Sequence, residues 1–492
     1  MPLIRRRRLR RFLERIEVRV GIEEELFLIS RRGSLVRAAD DVIMEAAELL
    51  KSDSSLLDTC WEYVLGLDPE PNPAQVEYIT QPVPPEEVLE ACKVGRELIR
   101  RAASRLRLLV LLESVHPVES DPLPINGTHV NLAIRFKDKP YMTPPQVCAV
   151  YNYLWYHLPT LIAATANTPY CCGGRNLAAS CRLLKSRVLK PNRHARLERP
   201  PKRPTLTQTQ YYGRLRYKLR LRKDTEFEER VVAHPNGKRL VDITPRGPAS
   251  NVTGDENESP ERNRVEVRAI DNQKSLDYLH DVVLLIAGLG VHGFYLYEKE
   301  GRMGYPDEHH MENRERAIQS GIEAEFVRKD GVVEAREALL ELIGLVEEII
   351  DEFGLSFRSQ LRNGKTELEE RPSLRVERKF EELARYEGKE VVVRLGSDRV
   401  LEINGKRIRI PEGTRLVGRL TPVADYEYRR DRLGFVKDIV RARITVGVAQ
   451  PVVVAEREGV LGRLPRGVRV PLKEGDQIVQ LEHVSRGIVS RW

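Results

Sequence analysis

The chain is 492 residues long, with 41% hydrophobic and 31% charged residues, as in soluble globular proteins of two or three domains. No apolar run in it approaches the roughly 20 residues that span a bilayer. The basic N-terminus is followed by no apolar stretch, so we predict neither a secretory signal nor membrane attachment, and we expect a cytoplasmic protein.

Positive charge is concentrated in two segments of the chain, whose net charge is +8. Residues 1–20 carry eight arginines against two glutamates, and residues 182–224 carry fifteen lysines or arginines against two acids. Such concentrations predict an anionic partner, either the phosphates of a nucleotide or a nucleic acid.

The six cysteines are scattered and form no Cys-x-x-Cys pair, so no zinc site is predicted. Cys171 and Cys172 are adjacent, which is a poor geometry for a disulfide between them. We expect buried thiols in a reducing compartment, and a disulfide such as Cys172 to Cys181 stays open if the organism is a hyperthermophile.

The predicted elements alternate along the chain between short strands and amphipathic or apolar helices. In order they are a strand at 18–26, a strand at 74–80, a helix at 84–109, a strand at 128–134, a helix at 144–167, a strand at 263–271 and a helix at 335–354. This mixture predicts an α+β fold, with an antiparallel or mixed sheet covered by helices on one side.

Composition divides the chain into three parts. Residues 1–355 form the predicted main domain, with a basic, proline-rich insertion at about 183–262. Residues 356–373 read as a linker, and 374–492 as a small module of short strands and tight turns.

Four of the predicted strands carry polar residues on one face, because side chains alternate between the two faces of a strand. These residues are Glu23 and Glu25, then Glu77, then His129 and Asn131, then Glu266 and Arg268. Carboxylates with one imidazole suit Mg²⁺ or Mn²⁺, which bind oxygen ligands and keep substrate phosphates as further ligands. A solvated sheet face is the alternative for any one strand, but the four together favour a site for metal and phosphate.

Six short motifs follow one another along residues 18–354. They are Gly21-Ile22-Glu23-Glu24-Glu25, Glu77 with Thr80, Gly127-Thr128-His129-Val130-Asn131, Asn167 and Pro169 with Ser180 and Arg182, Glu266 and Arg268 with Asp271, and Glu312-Asn313-Arg314 with Ala317. In this order they resemble the glutamate–cysteine ligase family of the second type, carboxylate–amine ligases of the glutamine-synthetase-like superfamily, and an archaeal member in particular. The basic insertion and the module after 373 have no recognised counterpart there.

The resemblance implies an ATP- and Mg²⁺-dependent ligase, glutamate–cysteine ligase first of all, with a role in glutathione biosynthesis and a glutamine-synthetase-like catalytic domain. The implied metal ligands are Glu23, Glu25, Glu77, His129 and Glu266, the implied nucleotide-binding residues are Asn131, Arg182 and Arg268, and the implied substrate-binding residues are Asn167 and Arg314. Glu266 and Arg268 are the implied catalytic residues. For Arg314 a surface salt bridge is an equal alternative, and the pair His309-His310 is expected in a solvated loop.

Other functions stay open at this point. A nucleic-acid-binding protein on the ligase fold would explain the arginine-rich N-terminus and the Tyr/Arg/Lys strand at 211–222. A noncatalytic scaffold is disfavoured because the acids and Arg268 are intact. The amine acceptor, which is cysteine in the family by default, and assembly into a homo-oligomer also stay open.

Overall fold

The computed structural model describes residues 6–119, 125–186, 197–198, 205–211, 214–220, 228–229, 241–247, 263–301, 308–380, 383, 387–403, 406–455, 459–464 and 469–481. Most of the basic insertion predicted at 183–262 therefore lies outside the described residues. Within the insertion the strands at 205–211 and 214–220 pair antiparallel.

The described residues contain ten α-helices. These are α1 (Arg6–Leu13), α2 (Ala39–Ser52), α3 (Ser54–Tyr63), α4 (Val88–Arg105), α5 (Pro144–Tyr156), α6 (Leu158–Thr165), α7 (Cys181–Lys185), α8 (Leu276–Glu300), α9 (His310–Ser320) and α10 (Ala335–Glu352).

The strands of the first three quarters of the chain are numbered β1 to β15. These are β1 (Ile16–Ile29), β2 (Val64–Pro69), β3 (Gln75–Thr80), β4 (Leu109–Leu111), β5 (Thr128–Phe136), β6 (Tyr170–Cys171), β7 (Arg175–Asn176), β8 (Leu197–Glu198), β9 (Thr205–Tyr211), β10 (Arg214–Arg220), β11 (Glu228–Glu229), β12 (Ile243–Arg246), β13 (Arg264–Ile270), β14 (Glu325–Arg328) and β15 (Gly331–Glu334).

The remaining strands follow residue 372. These are β16 (Arg375–Arg378), β17 (Glu390–Arg394), β18 (Arg399–Ile403), β19 (Lys406–Ile410), β20 (Arg415–Arg430), β21 (Val436–Ala455), β22 (Gly459–Arg463), β23 (Arg469–Pro471) and β24 (Gln477–Leu481).

The chain forms two compact units. The first comprises residues 1–31, 35–372 and 429–438, and the second comprises 32–34, 373–428 and 439–492. The second unit is β-rich and has a core of its own, which includes Val391, Val393, Leu416 and Val448. The segment 429–438, which composition assigns to the C-terminal module, packs within the first unit.

The first unit is built on an antiparallel sheet with the strand order β12-β13-β5-β1-β3-β2. Strand β4 extends one edge of β1 and pairs in parallel with Val436, which makes the sheet mixed. Helices α4, α5, α6 and α8 pack against the sheet. The predicted fold class, α+β with a β-rich C-terminal module, is confirmed.

The helix face of the sheet is apolar because alternate residues of each strand point toward the helices. Val20, Ile22 and Leu26 of β1 and Leu132 of β5 are completely buried there. Helix α8 approaches β5 closely at Gly290, where a Cβ atom would lie 2.2 Å from Leu132. The opposite face of these strands is thereby left to the polar residues.

The single helix predicted at 144–167 is wrong, because the structure has two helices, α5 and α6, separated at His157. Pro159 is the second residue of α6. Proline has no amide hydrogen and its ring collides with the carbonyl group four residues earlier, so α5 cannot continue through it.

Helix α8 corrects the expectation that no segment is long and apolar enough to cross a membrane. It has 25 residues, and an 18-residue window of it reaches a mean hydropathy of 1.6. That window is 94% buried inside the protein, as expected of the central helix of a folded core.

Candidate active site

Five carboxylates surround one imidazole on the polar face of the sheet. We call this group the acid cluster, and it consists of Glu23, Glu25, Glu70, Glu77 and Glu266 around His129. The pairing register of the strands brings these side chains together. Glu23 lies opposite His129 where β1 pairs with β5, and Glu25 lies opposite Glu77 where β1 pairs with β3.

His129 lies at the centre of the acid cluster and is 4% exposed. Its Nδ1 atom lies 3.3 Å from Glu23, 3.6 Å from Glu266 and 3.9 Å from Glu77, and its Nε2 atom lies 3.8 Å from Glu25. Both ring nitrogens therefore face carboxylate oxygens.

The acid cluster contains two groups of three potential metal ligands. Glu23, Glu77 and His129 offer ligand atoms within 4.8 Å of one another, and so do Glu25, Glu70 and Glu77. Glu77 belongs to both groups, so its carboxylate could bridge two adjoining cations. Oxygen-rich donor sets of this kind fit Mg²⁺ or Mn²⁺.

One side of the acid cluster is neutralised by arginines. Glu266 is 1% exposed, receives a 2.5 Å hydrogen bond from Arg268 Nη1 and pairs with Arg246. Burial by itself would raise the pKa of Glu266, but the charges of Arg268 and Arg246 outweigh it and hold that pKa well below its usual range. Glu266 is therefore a carboxylate at all physiological pH values.

On the other side no arginine of the described residues forms an ion pair with the carboxylates, and the more distant charge of Arg268 lowers their pKa values only in part. Burial, together with the carboxylates of Glu23, Glu25 and Glu70, raises the pKa of Glu77 to about 10. Burial and the charge of Glu25 raise the pKa of Glu70 to about 7. A bound cation would reverse this repulsion, so the electrostatics of this side fit a metal ion as well as the donor atoms do.

A buried arginine with unpaired donors lies behind the acid cluster. Arg182 is 2% exposed, and its Nη2 atom donates to the backbone oxygen of Arg268 at 2.9 Å. Its Nε and Nη1 atoms have no hydrogen-bond partner among the described residues, and neither has Nε of Arg268. The Asp271 carboxylate lies 3.9 Å from Nη1 of Arg182 and partly balances its charge. Guanidinium donors that lack a hydrogen bond suit an anionic ligand such as a phosphate or a carboxylate.

Gly127 makes room for this arginine. A Cβ atom at residue 127 would lie 2.0 Å from Nη2 of Arg182, which is closer than atoms can approach. The glycine that begins the Gly-x-His-x-Asn motif thus leaves the space that the guanidinium occupies, and any side chain there would displace it.

A cavity of about 590 Å³ adjoins the acid cluster and is bordered by Glu23 and Asn131. Asn131 donates to Glu23 at 3.1 Å and accepts from Arg264 Nε at 2.9 Å. Apolar residues including Leu65, Ile79 and Pro82 line the cavity, as in many small-molecule sites.

The structure places Asn167 beside the site, in a network centred on Asp271. The backbone N–H of Asn167 and the hydroxyls of Thr168 and Ser180 donate to Asp271. The amide nitrogen of Asn167 donates to Glu367 at 2.8 Å, while its side-chain oxygen has no partner among the described residues.

Arg314, which is predicted to bind substrate, forms a buried ion pair with Asp242. It is 3% exposed, and its Nε and Nη2 atoms donate to the Asp242 carboxylate at 2.5 and 2.8 Å. Its third nitrogen, Nη1, donates to Glu315 at 2.7 Å. All three nitrogens of Arg314 are occupied and the residue anchors α9 inside the protein, so the surface salt bridge is wrong. Its role in substrate binding stays a prediction.

The solvated loop predicted for the pair His309-His310 is wrong for His310, which is the first residue of α9 and is 4% exposed.

The six cysteines are free thiols, so no bond joins Cys172 to Cys181.

Three residues of the site were not predicted from the sequence. Glu70 follows strand β2 in a proline-rich turn, so no alternation pattern indicates where its side chain lies. Arg246 is the last residue of the four-residue strand β12, which is too short to show an alternation pattern. Arg264 begins β13 two residues before Glu266, and the alternation rule could have found it.

No protein-family model matches the chain, and no curated protein matches its sequence. Among solved structures it resembles apo GmaS without ligand, with a TM-score of 0.38 and 12% identity over 73% of this chain and 70% of that chain. It also resembles a novel glutamine synthase homolog, with a TM-score of 0.38 and 15% identity over 71% of this chain and 68% of that chain. A GmaS/ADP complex gives a TM-score of 0.37 and 13% identity over 73% of this chain and 71% of that chain. Similarity at this level is too low to assign an activity, and none of the three is named a glutamate–cysteine ligase.

Proposed function

We propose that the chain is an ATP- and Mg²⁺-dependent ligase that joins a carboxylate to an amine. The observation that carries this proposal is the acid cluster, in which uncompensated carboxylates lie next to buried arginines at the edge of a cavity. Phosphoryl transfer depends on positioning and on neutralising charge, and this combination supplies both.

In this proposal Glu23, Glu77 and His129 hold one divalent cation, and Glu25, Glu70 and Glu77 hold a second. Glu266 completes the cluster at 3.6 Å from His129. The bound cations would neutralise the phosphates of ATP and the charge that develops during transfer.

The 590 Å³ cavity is proposed to take the nucleotide. Its apolar residues Leu65, Ile79 and Pro82 suit a base, and Arg264 lies where the cavity meets Asn131 and Glu23. Phosphates extending from the cavity toward Glu23 would reach the metal ligands.

The reaction then runs in two steps. A substrate carboxylate attacks the terminal phosphorus of ATP, which releases ADP and leaves an acyl phosphate. The amine nitrogen then attacks the acyl carbon and forms the amide bond. Phosphate leaves the acyl carbon, and the amine nitrogen loses a proton. Arg268 is proposed to stabilise the transferring phosphoryl group, and the unpaired donors of Arg182 to bind phosphate or the substrate carboxylate.

For the substrates we propose glutamate as the carboxylate and cysteine as the first candidate amine, which would make the product a γ-glutamyl amide. The support for these substrates is the order of the six sequence motifs. Asn167, whose side-chain oxygen is buried and unpaired, is proposed to contact the substrate.

The test is release of phosphate from Mg-ATP, with glutamate and a panel of amines that includes cysteine. We expect release only when the acid and one amine are both present, together with formation of the amide. Phosphate release that ignores both substrates, or no release with any pair, would contradict the proposal.

Arg268→Lys links this activity to the site. We expect it to lose at least 100-fold in kcat, because a lysine cannot replace the planar, two-pronged guanidinium. Arg316→Lys is the matched control, since Arg316 pairs with Glu312 on the exposed side of α9. Equal losses in the two variants would remove the role of Arg268.

Nucleic-acid binding remains the second candidate, and helix α1 favours it. Leu9 and Phe12 are buried and fix the helix to the core, while Arg7, Arg8 and Arg11 on its other side are exposed. Binding of RNA that weakens steeply with salt would support this candidate, and no binding at low salt would end it.

A further inference from the structure

Two hydrogen bonds in series cross three adjacent strands on the polar face of the sheet, from β13 through β5 to β1. Arg264 Nε donates to Oδ1 of Asn131 at 2.9 Å, and Nδ2 of Asn131 donates to Oε1 of Glu23 at 3.1 Å. Glu23 is a proposed ligand of one divalent cation, together with Glu77 and His129, and we call this ion the first cation. Arg264 is not a ligand, but it is linked to one.

The two ends of this series determine which way the amide of Asn131 faces. A guanidinium group can only donate hydrogen bonds, and an ionised carboxylate can only accept them. The amide oxygen must therefore face Arg264, and the amide nitrogen must face Glu23. Asn131 is 6% exposed, so an amide turned the other way would leave buried polar atoms without partners.

The pairing of the strands brings the three side chains within reach of one another. Asn131 lies opposite Gly21 where β5 pairs with β1, and Glu23 is the next residue of β1 on the same face. Because Gly21 has no side chain, the diagonal from Asn131 to Glu23 is open. On the other side of β5, Asn131 lies opposite Glu266 of β13, and Arg264 precedes Glu266 by two residues on the same face.

The hydrogen bond from Asn131 fixes how the carboxylate of Glu23 is turned. Its Oε1 atom accepts from Asn131, while its Oε2 atom lies 3.3 Å from Nδ1 of His129. Without Arg264, the amide could rotate and present its oxygen to Oε1, and the repulsion between these two acceptors would turn the carboxylate away. Loss of a group that orients a metal ligand in this way typically costs about 10- to 100-fold in metal affinity.

We propose that Arg264 is a positioning residue for the first cation. It holds the amide of Asn131, and the amide holds Glu23 in the orientation that binds a divalent ion. This rests on the metal site of the proposed function, but on neither ATP nor the amine. It concerns one of the two proposed cations, because Glu23 is absent from the ligand group of the second, which is Glu25, Glu70 and Glu77.

The test is the binding of Mn²⁺ alone to the full-length chain, with the free ion measured by electron paramagnetic resonance. We expect the parent chain to bind two ions. In Arg264→Lys one ion should bind about tenfold more weakly, and the other should bind as in the parent chain. Lysine keeps the positive charge but has a methylene group at the position of Nε, so this variant removes the hydrogen bond without removing the charge.

A double-variant cycle determines whether Arg264 acts through Asn131. Asn131→Leu keeps a similar shape and removes both hydrogen bonds, and it should weaken the same ion about tenfold. Adding Arg264→Lys to Asn131→Leu should cause no further loss, because the residue through which Arg264 acts is already gone. Additive losses would overturn the proposal, since they would show that Arg264 acts independently of Asn131.

Arg135→Lys is the matched control. Arg135 lines the same cavity as Arg264, but its Nε donates to Glu17 at 2.9 Å instead of to a residue that contacts a proposed ligand. This variant should bind both ions like the parent chain.

The outcomes separate this proposal from the metal site on which it rests. If Arg264→Lys binds both ions like the parent chain, or loses both equally, the role of Arg264 is overturned while the metal site stands. If the parent chain binds no Mn²⁺, the metal site of the proposed function fails, and the role of Arg264 fails with it.

Discussion

Glu77 is the residue on which the candidate active site depends most. It belongs to both groups of metal ligands, and the carboxylates of Glu23, Glu25 and Glu70 raise its pKa by more than the charge of Arg268 lowers it. Such an arrangement is unfavourable in a protein without a bound cation. The folded chain therefore retains mutually repelling carboxylates at the place where the proposed reaction needs bound cations.

Gly127 provides a test of Arg182 that does not alter any charge. We expect Gly127→Ala to lower ligase activity at least tenfold, because the new methyl group occupies the position of the guanidinium. Gly66→Ala is the control, since a Cβ at residue 66 meets nothing within 4 Å. Steady-state rates of both variants test this, and full activity of Gly127→Ala would show that Arg182 is not needed.

His157 predicts part of the pH dependence of stability. Its pKa is lowered by burial from 6.5 to about 3 in the folded state, so between these values the unfolded chain binds a proton that the folded chain does not. The free energy of unfolding is therefore unaffected by this histidine above pH 6.5. As the pH falls from 6.5 toward 3, it decreases by about 1.4 kcal/mol per pH unit.

Replacing His157 should make this slope shallower. We expect the unfolding midpoint of His157→Gln to fall less between pH 6.5 and 5 than that of the parent chain, as measured by thermal denaturation. His309→Gln, at a half-buried histidine, is the control. Parallel pH profiles for His157→Gln and the parent would contradict the assignment.

At the scale of elements, strand β1 serves two environments at once. Glu23 and Glu25 face the acid cluster, while Glu24 points to the helix side and is completely buried. There it accepts hydrogen bonds from Arg96 of α4 at 2.7 and 2.8 Å and from Tyr78 at 2.8 Å. The pair fixes α4 across the strand that carries the proposed ligands.

We expect Glu24→Gln to lower the free energy of unfolding by about 3–5 kcal/mol, because it leaves the buried Arg96 charge uncompensated. The double variant Glu24→Gln with Arg96→Met should be less destabilised than the sum of the two single variants. Denaturant titrations measure this coupling, and additive effects would show that the pair does not act as a unit.

The elements also show what the sequence could predict. Strand alternation predicted correctly that Glu23, Glu25, Glu77, His129 and Glu266 share a face, because a period of two is independent of tertiary context. It could not predict the partner of Arg314, since Asp242 lies 72 residues away, inside the segment assigned to the basic insertion. Helix α8 was missed because it is apolar on all sides and so lacks the amphipathic period.

At the scale of the whole molecule, the first unit is completed by a segment from late in the chain. Asp438 accepts from Lys274 Nζ at 2.8 Å and from Arg371 Nε at 3.2 Å. Both cations also contact Glu113, at 2.9 and 2.5 Å. Two positive and two negative groups thus balance in the interior, and Asp438 is one of the four.

We expect Asp438→Asn to destabilise the first unit by about 3–5 kcal/mol, because a buried pair of charges is broken on one side. Arg432→Gln in the same segment should have little effect, since Arg432 is exposed. Thermal denaturation of both variants measures the difference. If Asp438→Asn unfolds like the parent chain, the segment is not required by the first unit.

Binding of divalent cations to the acid cluster through Glu77 can be measured as the unfolding midpoint of the metal-free chain while Mg²⁺ is added. We expect Mg²⁺ to raise the unfolding midpoint of the parent chain, because a ligand that binds only the folded state stabilises it. Without Mg²⁺, the unfolding midpoint of Glu77→Gln should equal or exceed that of the parent chain, since the repulsion between Glu77 and its neighbouring carboxylates is removed. At least tenfold more Mg²⁺ should be needed to raise the midpoint of this variant by the same amount. Glu90→Gln, at an exposed acid paired with Lys93, should respond like the parent. An equal response in Glu77→Gln and the parent chain would contradict binding through Glu77.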